Sequence, residues 1–71
     1  MEEKKQIKAL RKAIVILCNQ KPVNGEDAIG KWEVMNGLFV ILRDKSGEKN
    51  IGYDNAIDRY HKKYCNFYAW L

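Results

Sequence analysis

Histidine and proline occur once each in these 71 residues and cysteine twice, and each scarcity closes off a class of function. His61 is the lone imidazole, and Cys18 and Cys65 lie far apart with no Cys-x-x-Cys, so the chain by itself lacks the ligands of a tetrahedral zinc site. The two thiols read as buried groups in a reducing compartment. Five glycines make no Gly-x-Gly-x-x-Gly or Walker spacing, which removes support for a phosphate cradle and leaves them as turn residues. The apolar run 13–18 is far shorter than a bilayer-spanning helix, and the opening Met-Glu-Glu-Lys-Lys carries acids unlike a secretory leader. The expectation is a cytoplasmic protein with no membrane contact.

What is present is a single small domain, residues 1–71, with 46% hydrophobic residues. A chain of this size can build one core and no deep cleft. No catalytic residue, no cofactor and no small-molecule substrate is therefore expected. The carboxylate pairs Glu26/Asp27 and Asp54/Asp58 have no apolar pocket to separate their proton affinities, which acid–base work by two carboxylates requires. His61 and Cys65 are four apart, but nothing identifies an orienting third group.

The first segment, about 2–20, places Ile7, Leu10, Ile14 and Leu17 at steps of three and four, the signature of an amphipathic helix that ends before Pro22. Residues 23–30 read as a polar connection. From Lys31 to Arg43 two extended segments flank Asn36-Gly37, the strongest short-range hairpin signal in a sequence. One face of that hairpin would hold Trp32, Val34, Phe39 and Ile41, and the other Met35, Leu38, Val40 and Leu42. Asp44-Lys-Ser-Gly47 then supplies a second turn with Gly47 in a left-handed bulge, returning a short third strand through Ile51 and Tyr53. A second amphipathic helix starts at an Asp54 cap and runs through Ile57, Tyr60, Tyr64, Phe67, Tyr68 and Leu71.

The predicted architecture is thus α+β: a two-layer α-β-β-β-α domain, a three-stranded antiparallel meander packed against two amphipathic helices. The order is similar to that of double-stranded-RNA-binding domains. Where those domains begin their last helix with a Lys-Lys-x-Ala-Lys cluster, this chain has Asp54-Asn-Ala-Ile-Asp58, acidic where phosphates would dock.

Two surfaces follow from that reading. Two helices on one sheet face would leave Met35, Leu38, Val40 and Leu42 as an open apolar ridge, a contact site for a protein partner or for a second copy in a homodimer. The basic helix faces, Lys4, Lys8, Arg11 and Lys12 with Arg59, Lys62 and Lys63, offer non-specific contact with nucleic acid as the alternative. Ten lysines to three arginines, at a net charge of +4, argue against base-edge readout. The functional expectation is a non-catalytic interaction module that binds or inhibits a macromolecular partner, of the kind that phages and mobile elements encode as accessory or inhibitory proteins.

Overall fold

The computed structural model describes residues 2–66, and among them it contains three helices and no strand. Helix α1 spans Glu2–Cys18, α2 spans Gly25–Ser46 and α3 spans Ile51–Tyr64. The helices run up, down and up: Cys18 meets Met35 at one end of the α1–α2 pair, while Arg11 reaches Glu48 and Asn50 just beyond the other end of α2. The expected three-stranded sheet is overturned, and with it the α-β-β-β-α order and its likeness to double-stranded-RNA-binding domains.

The correction centres on α2, and its cause lies at the two ends. Asn24 is extended and its Oδ1 accepts the Asp27 backbone N–H at 2.8 Å, satisfying one of the free donors of a helix start. The Asp27 carboxylate turns back to accept from the Val23 N–H at 3.0 Å and forward to Lys31 Nζ at 2.7 Å. Glu26 and Asp27 in the first turn and Arg43 and Lys45 in the last both complement the helix dipole. At the far end Gly47 takes a left-handed conformation, φ 67°, and its N–H caps the Arg43 carbonyl at 3.0 Å. Gly47 is therefore left-handed as the turn reading required, but it ends a helix rather than bulging a strand.

Between those caps the buried positions Ala28, Met35, Phe39 and Leu42 step by seven, four and three, which is helical periodicity. Asn36-Gly37 sits mid-helix with negative φ, since Gly47 and Asn50 alone among the described residues have positive values. The β-branched Val34, Val40 and Ile41, which made the segment look like strands, point outward from the helix instead.

Helix α1 keeps the expected apolar face, with Ile14 fully buried and Ile7, Leu10 and Leu17 packed beside it. Helix α3 begins earlier than its Asp54 signal: Ile51 and Tyr53, assigned to a third strand, form its first turn behind a left-handed Asn50, φ 52°. The expected continuation through Phe67, Tyr68 and Leu71 lies outside the described residues. One core joins all three helices: Ile14, Met35, Phe39, Leu42, Ile57 and Tyr60, with Trp32, Tyr53 and Tyr64 packed against it.

Candidate interaction surfaces

The sheet ridge does not exist, because its four residues alternate along a strand but scatter around a helix. Met35 and Leu42 are fully buried, Leu38 is half-buried at the α1–α2 seam, and Val40 is exposed on the outer side. Only Leu38 and Val40 of that set are surface-facing at all.

A different apolar face takes its place. Helix α2 carries large apolar side chains all the way round, and a three-helix bundle can bury only one side of it. Val34 is 54% exposed and Ile41 45%; they lie seven residues apart on one line of α2, and Ile41 lines the groove against α1. Ile16 of α1 is 48% exposed, and Ala9 and Ala13 continue its line. Part of the seam is an open groove of about 370 Å³ lined by Gln6, Ala9, Leu10, Ala13, Ile41 and Lys45. The sequence signal for this face was the unbroken apolar character of the stretch between Asn24 and Gly47, read as two strands rather than one helix.

The candidate phosphate-contacting cations are divided by the fold. Lys4, Lys8 and Arg11 line a depression with Ile7, Ser46 and Glu48, and Arg59 and Lys63 line another with Cys18, Asn19, Ala56 and Tyr60. The first depression lies between α1 and the end of α2 with its following connection, and the second between α1 and α3, so the cations do not share one site. Lys12 is exposed on α1, and Lys62 is held by Asp58 at 3.1 Å on α3.

Arg11 serves the fold. Its Nη2 donates to Asn50 Oδ1 at 3.1 Å and contacts Glu48 Oε2 at 3.3 Å, and its guanidinium stands 6.0 Å from the Tyr53 ring centre. Asn50 Nδ2 donates in turn to Ser46 Oγ and to the Glu48 carbonyl, both at 2.9 Å. Arg11 thus latches the 47–50 connection onto α1 through one guanidinium nitrogen.

The remaining groups with chemistry are held in structural settings. His61 lies against Trp32, ring centres 4.5 Å apart and tilted by 48°, and its tie to Cys65 is a backbone cap, the Cys65 N–H on the His61 carbonyl at 2.8 Å. Burial pushes the Cys18 thiol up, partly offset by the Arg59 charge, and burial alone pushes up Cys65. Both thiols are therefore protonated at neutral pH, which suppresses nucleophilic reactivity. Cys18 Sγ donates to Met35 Sδ at 3.4 Å inside the bundle. Among the described residues, His, Cys, Asp and Glu side chains do not gather in groups of three, and no helix is long and apolar enough to cross a membrane.

Comparison with protein-family models, with curated proteins and with solved structures finds no match to this chain.

Proposed function

We propose that this chain is a non-catalytic interaction domain that docks on a protein surface through the α1–α2 face. The observation that supports it is helix α2, whose apolar residues exceed what the bundle can cover: Val34 and Ile41 stand about half-exposed on one line of the helix, and Ile41 lines an open, mainly apolar groove. Contiguous apolar surface on a small domain is costly in water and marks a contact site.

The test is site-specific photo-crosslinking in the source cell, with a benzophenone amino acid at Ile41 and, as control, at the exposed α3 position Asn55. The expected result is one protein adduct at position 41, identified by mass, and none at position 55. Equal labelling at both positions, or none at either, would overturn the reading.

A second reading has one observation in its favour: Lys4 and Lys8 line one surface depression, with the acid Glu48, and Arg59 and Lys63 line another. Exposed cations of this kind suit a phosphate backbone without sequence preference. An adduct that nuclease removes would shift the function to these cations.

A further inference from the structure

We infer that the occupant of the α1–α2 face is a second copy of this chain, set by a two-fold axis parallel to the helices. This rests on the interaction reading above and specifies its partner.

The argument begins with the edges of the face. At about 100° per residue, the positions beyond Ala9 and Ile16 on α1 are Lys5 and Lys12, seven residues apart and on one line. On α2 the positions beyond Val34 and Ile41, away from α1, are Gly30 and Gly37, then Glu26 and Asp44, with Glu33 further round. All five charged residues are exposed, and among the described residues none of them takes part in the ion pairs, which are Arg11–Glu48, Lys31–Asp27 and Lys62–Asp58. The face therefore has a mainly apolar centre that also holds Gln6 and Lys45, a basic edge along α1 and an acidic edge along α2.

That pattern is self-complementary under one symmetry operation. A two-fold axis running along the groove lays α1 of one copy over α2 of the other, antiparallel, so each basic edge meets an acidic edge. A two-fold axis across the groove would instead stack α1 on α1 and α2 on α2, setting like charges together. Gln6 and Lys45 share the groove, so Lys5 and Asp44 stand at the same end of the bundle and come to the same level across the parallel axis. A closed two-fold contact of this kind is the commonest way a soluble chain assembles with itself.

Size is consistent with the assignment. A standard interface takes about 800 Å² from each partner. That is about 15% of the 5371 Å² this chain exposes, a share one two-helix face can supply. The product would be a four-helix layer of α1 and α2 from both copies, with α3 of each on the outside.

The test is solution mass by light scattering over a concentration series to about 1 mM, on the full chain and on five variants, with circular dichroism to verify folding. The native chain is expected to dimerise, and Ile41→Glu and Ile16→Glu to be folded monomers. Lys5→Glu and Asp44→Lys are each expected to weaken the dimer roughly tenfold, because symmetry turns two edge pairs from attractive to repulsive. Lys5→Glu combined with Asp44→Lys in the same chain is expected to restore it. A native monomer throughout, or a dimer indifferent to Ile16, Ile41 and the single charge reversals, would overturn the inference. If the native chain is monomeric while position 41 still crosslinks a different protein, the second copy is ruled out and the interaction reading stands; absence of both results removes the two together.

Discussion

Two residues two positions apart, Leu42 and Val40 in the same apolar run, separate core from surface more sharply than their chemistry does. Leu42 is fully buried among three helices, whereas Val40 is 49% exposed. Removing buried methylene groups costs the lost transfer energy and a cavity, about 2–5 kcal/mol for a leucine truncated to alanine. Leu42→Ala is therefore expected to lose that much in urea unfolding, enough to leave a domain of this size marginal. Val40→Lys is expected to change stability by less than about 0.5 kcal/mol, since it adds a charge where water already is. Had the run formed a strand with one open face, the two substitutions would have been equivalent. Equal losses in the two variants would contradict the helical placement of the run.

At the scale of the element, the capped start of α2 makes stability depend on pH in a known direction. The hydrogen bond from Lys31, then that from the Val23 N–H, hold the Asp27 carboxyl below the usual carboxylate range. A carboxyl depressed in the folded state contributes stability at every pH above its unfolded value, and the contribution disappears as pH falls through the folded value. Asp27→Asn is thus expected to melt below the native chain at pH 7, with the difference closing as pH falls below the usual carboxylate range. A difference that persists unchanged into acid would show that the carboxylate charge is not what the cap uses.

The same element shows how far the sequence could be read. Helix α1 was legible in Ile7, Leu10, Ile14 and Leu17 because its apolar and polar residues separate cleanly around the axis. The core periodicity of the last helix was legible in Ile57, Tyr60 and Tyr64 for the same reason. Helix α2 was not, because a segment apolar on every side carries no helical phase, and Asn36-Gly37 in its middle imitates a hairpin. The decisive residues were peripheral: Asn24 with Asp27 at the start, and Gly47 at the end. They were present as cap signals, but they were read as loop and turn. The candidate site inherited the same error, since a period of two put Met35, Leu38, Val40 and Leu42 on one open face, whereas on the helix Met35 and Leu42 are core. Its α1 half, Ala9, Ala13 and Ile16, was out of reach without the antiparallel α1–α2 pairing.

For the whole molecule, the distribution of charge distinguishes the two readings in one titration. Glu26, Glu33 and Asp44 are exposed on α2, while Lys4 and Lys8 border one depression and Arg59 and Lys63 another. Binding of a random DNA duplex through up to four such cations would weaken with a log–log salt slope of about −3.6 at most. Contact through the apolar face, aided only by exposed edge pairs, is expected to weaken less than about tenfold between 50 and 500 mM salt. Light scattering and duplex anisotropy across that range check the two expectations side by side. Dimer dissociation as steep as duplex release would mean that charge, not apolar area, drives self-association.

The latched connection at 47–50 also sets an order of assembly. It joins α2 to α3 with two residues already in left-handed conformations, Gly47 and Asn50, so the loop that must close between those helices is short. Closing a short loop sacrifices little chain freedom, which favours early pairing of α2 with α3. Arg11 can grip Asn50 and Glu48 only when α1 arrives on that pair. Its contacts then belong to the last step of folding and the first step of unfolding. Replacing Arg11 by methionine should accordingly steepen the unfolding rate and leave the folding rate almost untouched, a split that a stopped-flow chevron reads directly.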